Sequence, residues 1–415
     1  MKPSVLYVTE KFPWPVDDGG QIRAYQILKA MVQRMQVTLI GLQPPRPEHE
    51  EPIKKLGVEV VTFPRGSRSK IAVGWYAGQA LFTHRPYPLN KNFSRAMLNE
   101  IRRRVQSGVE LVHLNQIDAA QYLDYLDDLR GSFRTLFETQ NVLTTMYERF
   151  YETAEGSLRR AYTKQQWHKM ARYEPEVMQR FDRVAVCSEV ERELCRTWGV
   201  HNVSVVENGV DTERFAPQGP VGHSGHSGQG PGDAERPTLV FTGAMNYLPN
   251  REGFEWFLDD VVPLLREKVP AFRLLVVGKH PPEHLLARAK PGELEFTGYV
   301  DDVRDPMREG HVSIVPLRIG SGTRIKILEA MALGLPVVST SVGAEGLAVT
   351  SGENILLADE PRALASAIAE LCNAPERRQE LAQAGRALVE RRYDWKAVTA
   401  PLVDFYLEPA PAAHG

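Results

Sequence analysis

The sequence predicts two α/β domains, each built on a parallel sheet. Its 415 residues exceed what a single ordinary hydrophobic core organises. Short apolar runs typical of buried strands alternate with helical patterns, which favours parallel strands joined by crossover helices. A Gly-, Ser- and Pro-rich stretch at 219–236 separates the two halves of the chain, and its composition is that of a linker.

The apolar runs give the expected strands of both domains. In the first domain we predict strands at 5–8, 37–41, 58–63, 111–114, 135–137, 184–187 and 203–206. In the second domain we predict strands at 238–242, 273–278, 294–300, 312–316, 336–340 and 354–357. Ligands of such sheets bind beyond the carboxyl ends of the strands, so the loops that follow these runs are the first places to search for function.

Composition narrows the class of protein. The chain has 43% hydrophobic residues, 25% charged residues and a net charge of −2, which is typical of a globular protein and argues against broad nucleic-acid binding. No apolar run approaches the roughly 18 residues of a membrane span, and the N-terminus lacks the apolar region of a signal peptide. We therefore expect a cytoplasmic protein. Three cysteines without metal-ligand spacing are expected to be reduced: Cys187, Cys195 and Cys372.

The most informative stretch is 316–347, PLRIGSGTRIKILEAMALGLPVVSTSVGAEGL. It predicts a strand, a small-residue loop, a helix and a second strand, with Ser321 or Thr323 as the helix N-cap. Arg324 and Lys326 then fall in the first helical turn, where positive charge opposes the helix dipole. A sequence that accepts this cost is expected to hold an anion there.

Glu329 is a further unusual residue of this helix. Ile325, Glu329 and Ala332 recur at i, i+4 and i+7, the spacing of an inward stripe, so a carboxylate is expected among apolar neighbours. One interpretation is structural, with Lys326 pairing with Glu329 three residues away. The other is functional: Arg324 and Lys326 hold a diphosphate while Glu329 accepts a hydrogen bond from a sugar hydroxyl.

The pattern G-S-G-T-R-x-K-x-L-E-A-M-A-x-G-x-P-V-V resembles the donor-site signature of glycosyltransferase family 4. The resemblance implies a GT-B fold, two Rossmann-like domains facing across a cleft, and a retaining transfer reaction. It implies that Glu329 binds the nucleotide ribose and that Arg324 and Lys326 bind the diphosphate. Ser321 stands where the family commonly has a first glutamate, so the backbone N–H groups of Ser321, Gly322 and Thr323 are expected to share the donor contacts.

Other motifs of the family match more loosely. Gly19 and Gly20 follow the first strand, where the family places a glycine-rich loop. In the second domain Gly243 follows the corresponding strand, with Ala244 in place of the usual arginine and Arg251 as a possible substitute for a nearby lysine. Val300 lies in a segment whose backbone meets the nucleotide base in the family.

The acceptor side of the site is the least specific part of the resemblance. His113 ends a strand and has two interpretations, a satisfied structural residue or a catalytic group that meets the donor. Asn115 is expected to share its access. Gln140 and Asn141 occupy the position of a His-Asn pair in the family, and a glutamine amide can bind a hydroxyl but cannot act as an acid or base.

The resemblance also implies the division of the chain. We expect an N-terminal acceptor-side domain at 1–206, a linker at 207–236, a C-terminal nucleotide-sugar-binding domain at 237–392, and a final helix at 393–415 that returns to the first domain. The aromatic stretch 74–92 is interpreted either as ordinary packing or as a segment that lines an acceptor groove or contacts a membrane.

The predicted function is retaining transfer of a hexosyl group from a nucleotide-sugar to a hydroxyl acceptor, in bacterial polysaccharide or other glycan biosynthesis. The acceptor is a glycan, a lipid-linked saccharide or a small molecule, and peripheral contact with the cytoplasmic membrane face is expected. No obligatory metal and no nucleic-acid partner are expected. Two alternatives remain: a GT-B sugar-nucleotide epimerase, and a non-catalytic nucleotide-sugar-binding partner of another transferase.

Overall fold

The computed structural model describes residues 2–16, 18–44, 46–64, 70–83, 85–87, 89, 93–154, 156–219, 236–319 and 324–408, with side chains omitted at 70–74. The chain divides into two compact units. The first contains Met1–Glu207 and Thr399–Gly415, and the second contains Asn208–Val398. The predicted domain limits remain predictions, and most of the predicted linker lies outside the described residues, as do Ser321, Gly322 and Thr323.

The first unit is built on a seven-stranded parallel sheet with the order β3-β2-β1-β4-β5-β6-β7. Its strands are β1 (Ser4–Thr9), β2 (Gln36–Leu42), β3 (Glu59–Phe63), β4 (Leu111–Asn115), β5 (Arg134–Glu138), β6 (Arg183–Val186) and β7 (Val203–Val205). The central strands β1, β4 and β5 are buried almost throughout, as expected for a parallel sheet covered on both faces.

Helices connect these strands as crossovers. They are α1 (Gly19–Met31), α2 (Glu51–Lys54), α3 (Lys70–Phe82), α4 (Arg95–Gln106), α5 (Gln116–Ala120), α6 (Leu143–Glu152), α7 (Ser157–Met178) and α8 (Glu189–Thr197). Short 3-10 turns span Pro47–Glu50, Gln121–Tyr125 and Asp127–Leu129. The core packs Leu6, Val112 and Phe137 of the sheet against Met97 and Ile101 of α4.

The second unit is built on a six-stranded parallel sheet with the order β10-β9-β8-β11-β12-β13. Its strands are β8 (Thr238–Thr242), β9 (Arg273–Val277), β10 (Leu294–Gly298), β11 (Val312–Val315), β12 (Val337–Ser339) and β13 (Leu356–Leu357). Two apolar clusters cover the sheet. Phe241 and Phe254 belong to one, and Val240 and Leu328 belong to the other.

The helices of this unit are α9 (Leu248–Trp256), α10 (Val262–Lys268), α11 (Glu283–Leu286), α12 (Arg304–Arg308), α13 (Ile325–Ala332), α14 (Pro361–Asn373) and α15 (Pro375–Leu388). π-helical turns span Phe257–Val261 and Val389–Tyr393. The last helix, α16 (Trp395–Leu407), begins in the second unit and continues into the first. No helix of the described residues is long and apolar enough to cross a membrane.

Each sheet has one point where the strand order reverses. In the first unit this switch point lies between β1 and β4, and in the second it lies between β8 and β11. The crossovers leave to opposite faces at such a point, so a crevice opens beyond the carboxyl ends of the two strands. Gly19 and Gly20 follow β1, and Gly243 follows β8. The sequence-predicted glycines therefore stand beside the two crevices.

The predicted α/β class and the two parallel sheets are confirmed, and each predicted strand is present within a few residues. Two local predictions were wrong. Gly19 and Gly20 form the first turn of α1 rather than a loop, because Asp18 caps the helix by accepting from Gln21 N–H. Helix α13 begins at Ile325 with Arg324 as its N-cap residue, so neither Ser321 nor Thr323 is the N-cap.

Candidate functional site

The crevice of the second unit begins at Gly243, directly after β8. Its φ of 150° falls in a region that side-chain-bearing residues rarely adopt, so glycine is required by backbone conformation. A Cβ atom there would also lie 2.5 Å from Asn250 Nδ2 and 2.8 Å from Lys326 Nζ. Gly243 therefore leaves room for two polar groups from two different helices.

Lys326 brings the positive charge of α13 to this crevice. Its Nζ donates a hydrogen bond to Asn250 Oδ1 at 2.8 Å and lies 4.8 Å from the centroid of the Phe241 ring. Asn250 belongs to α9, which follows β8, so one hydrogen bond joins the helices on the two sides of the switch point. Sequence analysis singled out Lys326 as a diphosphate-binding residue, which remains a prediction, and it missed Asn250.

Partial burial perturbs the charge of Lys326. Burial lowers the pKa of its ammonium group to about 7, the positive charge of Arg324 lowers it further, and Glu329 opposes both effects. Arg324 itself is buried. Two cationic side chains close to one another at low solvent access repel each other, and an anionic ligand would relieve that repulsion.

Glu329 is half-buried on the same helix. Burial raises the pKa of its carboxyl group to about 7, although the positive charges of Arg214 and Lys326 act in the opposite direction. Within the part of the chain that the structure describes, the Glu329 carboxylate accepts no hydrogen bond and forms no ion pair with Lys326. The structural alternative, a Lys326–Glu329 pair, is therefore not what this helix forms.

The predicted inward stripe of α13 was wrong for two of its three members: Ala332 is buried, but Ile325 and Glu329 are only partly buried. Ile327, Leu328 and Met331 face the core, whereas Ile325 and Glu329 keep part of their surface exposed. The apolar face is set by where the helix packs on the sheet, and the i, i+4 and i+7 spacing alone selected the neighbouring face. Glu329 is consequently placed at the margin of the core, where a ligand can reach it.

Two other residues that were predicted to bind the nucleotide-sugar donor, Arg251 and Val300, lie on other elements of the second unit. Arg251 is half-buried on α9, next to the residue that contacts Lys326. Val300 is half-buried beyond β10 and packs against the apolar cluster that includes Leu328. Their contacts with a donor remain predictions, as do those of Ser321, Gly322 and Thr323, which lie outside the described residues.

In the first unit the structure brings Gln140 and Gly20 together. Gln140 Nε2 donates to Gly20 O at 3.2 Å, and a Cβ at Gly20 would lie 2.7 Å from Gln140 Oε1. Gln140 follows β5 and Gly20 follows β1, so both lie at the carboxyl edge of the sheet. Asn141 beside them is exposed. The acceptor-side roles of Gln140 and Asn141 remain predictions.

His113 lies in a closed network of buried polar groups. Its Nε2 is 2.9 Å from Glu138 Oε2, and its Nδ1 is 2.5 Å from the hydroxyl of Tyr406. Glu138 also pairs with Arg23, and the side chains of His113, Glu138 and Arg23 are all fully buried. Both ring nitrogens of His113 are engaged, which does not favour its predicted catalytic role; that role remains a prediction.

Asn115 belongs to the same network. Its Nδ2 donates to the hydroxyl of Tyr7 and to Glu138 Oε2, the latter at 3.1 Å. Burial alone would raise the pKa of Glu138, but the charge of Arg23 and the hydrogen bond from His113 outweigh it and lower the pKa to about 2. The carboxylate is therefore charged, and both of its oxygens accept hydrogen bonds. The predicted acceptor role of Asn115 remains a prediction.

Sequence analysis missed Arg23 and Glu138 at these edges, and it missed the backbone conformation of Gln116. Arg23 and Glu138 could have been found, since a charged residue within an apolar strand or helix face needs a buried partner. Gln116 follows β4 with a φ of 71°, a left-handed conformation that costs a non-glycine residue about 1–3 kcal/mol and is concentrated at functional sites. Nothing in its sequence context predicts that conformation.

Metal ligands are not apparent in the described part of the chain, where no group of three or more His, Cys, Asp or Glu side chains could hold an ion. Asp301 and Asp302 are adjacent carboxylates after β10, but Asp302 pairs with Arg304, whose Nε lies 2.8 Å from Asp302 Oδ1. The predicted independence from metal remains a prediction.

Family models match both units. The model described as Glycosyltransferase Family 4 matches residues 18–214, and the model described as Glycosyl transferases group 1 matches residues 236–374. The chain belongs to glycosyltransferase family 4. The second match contains Gly243, Asn250, Lys326 and Glu329, so the crevice beside β8 lies within the residues that this family model matches.

Curated relatives of this family 4 chain match it over about half of its length. A phosphatidyl-myo-inositol mannosyltransferase of Mycobacterium tuberculosis is 30% identical over 234 residues, 54% of this chain and 58% of the relative. A putative glycosyltransferase of Bacillus subtilis, EpsD, is 27% identical over 218 residues, 51% of this chain and 54% of the relative. The chain therefore spans less than two thirds of the length of either relative.

Solved structures match the family 4 chain over almost its whole length. HepE of Anabaena, solved in complex with UDP, has a TM-score of 0.70 at 14% identity and covers 97% of this chain and 99% of that chain. Sucrose-phosphate synthase of Thermosynechococcus elongatus has a TM-score of 0.67 at 19% identity and covers 98% of both chains. These likenesses establish the fold, and with the two parallel sheets they confirm the predicted GT-B class.

The buried network predicts a large stability effect of Glu138→Gln. Removing one partner of a buried ion pair leaves Arg23 uncompensated, at a cost of about 3–5 kcal/mol in free energy of unfolding. Urea denaturation measures the loss, with the exposed Glu152→Gln as control. The double variant Arg23→Met/Glu138→Leu should recover part of it, because no unpaired charge remains; equal losses in both variants would contradict this account.

The raised pKa of Glu329 predicts a pH-dependent effect of Glu329→Gln. The folded wild type keeps a proton between pH 4.5 and about 7 that the unfolded chain releases, so the ionised carboxylate costs stability above pH 7. We expect the variant to be more stable than wild type at pH 8 by about 1 kcal/mol, because the side chain is only half-buried, and equal to it at pH 4.5.

Thermal unfolding from pH 4.5 to 8 measures this difference. Glu345→Gln, an exposed change on the same unit, is the control. A Glu329→Gln effect that stays constant across the pH range would show that burial of the charge is not its cause.

Proposed function

We propose that this protein transfers a hexosyl group from a nucleotide-sugar to a hydroxyl acceptor with retention of anomeric configuration. One observation carries the proposal: the Lys326 ammonium group lies beside a required glycine at the switch point of a parallel sheet, three residues from Glu329, whose carboxyl group accepts no hydrogen bond from the described residues. Diphosphate needs positive charge, and sugar hydroxyls need acceptors. Family membership and the mannosyltransferase relatives support the same reaction class.

The chemistry assigns separate roles to these side chains. As the bond from the anomeric carbon to the diphosphate breaks, negative charge develops on the leaving phosphate oxygen. Lys326 and Arg324 stabilise that charge, and removing one such preorganised donor commonly costs roughly 10²–10³ in rate. Glu329 accepts hydrogen bonds from donor hydroxyl groups and orients the donor. The incoming acceptor hydroxyl gives its proton to a phosphate oxygen of the leaving group, and no metal is required.

The donor is expected to carry uridine or another nucleoside diphosphate. HepE, which has a similar fold, was solved with UDP and with UDP-glucose. This supports testing uridine nucleotides first. The acceptor is proposed to be a lipid-linked saccharide or another glycan under assembly. The names of the phosphatidyl-myo-inositol mannosyltransferase and of a lipopolysaccharide core mannosyltransferase of Rhizobium meliloti support this acceptor class.

A nucleotide panel tests the donor site. Isothermal calorimetry with UDP, GDP, ADP and dTDP, with and without EDTA, should give one nucleoside diphosphate that binds independently of metal. Lys326→Ala should weaken its binding at least tenfold while changing the melting temperature little, because the ammonium group is held mainly for the ligand. The exposed Lys290→Ala is the control.

Two results would contradict the proposal. If Lys326→Ala lost stability and binding in parallel, the lysine would be structural. If the wild type bound no nucleotide of the panel, the crevice beside β8 would not be a donor site.

A surface of the first unit supports contact with a lipid-linked acceptor. Trp75 and Phe82 lie seven residues apart on α3, so their side chains project from the same side of that helix. Trp75 is 66% exposed and Phe82 is 92% exposed. Leu158 on α7 is 87% exposed. Gln165 Nε2 donates to Leu81 O at 3.1 Å and fixes the end of α3 against α7. Large apolar side chains exposed together mark an interaction surface.

The charge of α7 favours an anionic partner for this surface. Residues 157–173 contain five Lys or Arg and no Asp or Glu. Arg160 and Lys164 lie 5.3 and 5.8 Å from the centroid of the Tyr151 ring. Apolar side chains among cations fit a bilayer surface that contains anionic lipids, where each cation contributes about 1 kcal/mol.

Vesicle flotation tests this contact. The full chain should bind vesicles of phosphatidylglycerol and phosphatidylcholine in preference to pure phosphatidylcholine, and Trp75→Ser/Phe82→Ser should reduce binding at least fivefold. Leu286→Ser, an exposed apolar residue of the second unit, is the control. Equal binding to both vesicle types, or an unchanged double variant, would contradict the assignment.

A further inference from the structure

Asn250 is almost fully buried, and both ends of its side-chain amide are used. Oδ1 accepts from Lys326 Nζ at 2.8 Å, and Nδ2 donates to Ala244 O at 2.9 Å. An ammonium group can only donate and a carbonyl oxygen can only accept, so the orientation of this amide is fixed by its partners. Asn250 therefore joins the charge of α13 to the backbone that follows β8.

We propose that Asn250 is the positioning residue that holds the Lys326 ammonium beside Gly243, where it meets the diphosphate of the donor. The inference deepens the proposed function and rests on it. Family resemblance led us to expect a cation on this part of the chain, with Arg251 as the substitute. The structure instead places a neutral amide, Asn250, at the point of contact and brings in the cation from α13.

A neutral acceptor suits this task better than a carboxylate. An aspartate at 250 would hold Lys326 more strongly, but it would cancel the positive charge that the diphosphate needs. An amide oxygen takes one of the three ammonium donors and leaves the charge in place. Among the described residues Asn250 is the side chain that accepts a hydrogen bond from Lys326, so the other two donors remain for an anion.

The packing around the ammonium group restricts it to this position. The Phe241 ring lies 4.8 Å from Nζ, and a Cβ at Gly243 would lie 2.8 Å from it. The charged groups that act on Lys326 are Arg324 and Glu329, and Arg214 acts in turn on Glu329. None of them is placed to fix the direction of the ammonium N–H bonds, whereas the Asn250 hydrogen bond does so.

Two substitutions separate positioning from folding. Asn250→Leu removes the acceptor at similar size, and Asn250→Asp keeps the shape and adds a negative charge. Asn246→Asp, an exposed change in the same loop, is the matched control. Asn250→Asp retains an acceptor for Lys326 but loses the amide donor to Ala244 O, so a purely structural role predicts a lower melting temperature and a loss of nucleotide binding only in proportion to it. A positioning role predicts that Asn250→Asp weakens nucleotide binding because its charge competes with the diphosphate.

The first measurement is the titration of Lys326 by NMR on the full chain labelled with ¹³Cε-lysine, with the signal assigned by Lys326→Arg. Asn250→Asp should move the midpoint of the Lys326 titration to higher pH than in wild type, and Asn250→Leu should move it to lower pH. Asn246→Asp should leave it within about 0.2 of wild type. An unmoved midpoint in both Asn250 variants would overturn the contact itself, whatever the protein binds.

The second measurement is a double-variant cycle in the dissociation constant of UDP at pH 7.5. Asn250→Leu and Asn250→Asp should each weaken UDP about tenfold, and Lys326→Ala at least tenfold. Asn250→Leu/Lys326→Ala should be no more than about twofold worse than Lys326→Ala alone, because Asn250 acts through the lysine. Multiplicative losses, or an Asn250→Asp variant that binds like wild type, would overturn the proposal.

Failures of the two proposals are distinguishable. If wild type binds GDP, ADP or dTDP rather than UDP, the same cycle is measured with that nucleotide. If wild type binds none of the four, the proposed function fails and the positioning role falls with it. If wild type binds and the cycle is multiplicative, the donor site stands and only the role of Asn250 is lost.

Discussion

Every strand pairing within the two sheets is parallel, and this constraint decides where the polar chemistry of the chain lies. Parallel strands end at a common edge, and the crossovers diverge at the switch points between β1 and β4 and between β8 and β11. Asn250 and Lys326 are 76 residues apart in sequence. They meet because α9 and α13 follow the two strands that flank the second switch point.

Buried charge is paired within the protein at the carboxyl edge of the first sheet, whereas at the carboxyl edge of the second sheet it is only partly paired. In the first unit Arg23, His113 and Glu138 satisfy one another, with Tyr406 from the last helix completing the network. The charge of Glu138 is thus compensated within the protein by Arg23 and by a hydrogen bond from His113. In the second unit Lys326 has one acceptor and Glu329 has no donor in the described chain. An anionic ligand would compensate the charge of Lys326, which is why we propose donor binding in the second unit.

The first network also explains why a histidine at a strand end is weak evidence for catalysis. A buried imidazole needs partners for both nitrogens, and a strand end near other polar strand ends supplies them. Tyr406 supplies the Nδ1 contact of His113 from 293 residues away in sequence. That pairing depends on α16 crossing into the first unit, a tertiary event that no local pattern around His113 contains.

The sequence alone was sufficient to predict the parallel sheets and to identify the segment that carries Lys326 and Glu329. Both predictions depend on local properties, namely the alternation of strand and helix patterns and a motif of closely spaced residues. Prediction from the sequence failed where geometry depends on packing between elements. The inward stripe of α13 was assigned from spacing, yet Ile327 and Leu328 face the core, since the sheet selects the buried face. Asn250 was passed over because an Asn after Pro is an ordinary helix-start residue, and its importance comes from a lysine on another helix.

Lys326 and Glu329 share a further property that follows from their partial burial. The pKa of each is displaced to about 7 by burial, the lysine downward and the glutamate upward, so near neutrality each carries only part of its charge without a ligand. A diphosphate favours the charged lysine, and a hydroxyl donor favours the charged glutamate. Donor binding would therefore draw a proton onto Lys326 as it removes one from Glu329. Because these two changes oppose one another, the site can develop full charge at the moment of binding with little net exchange of protons with solvent.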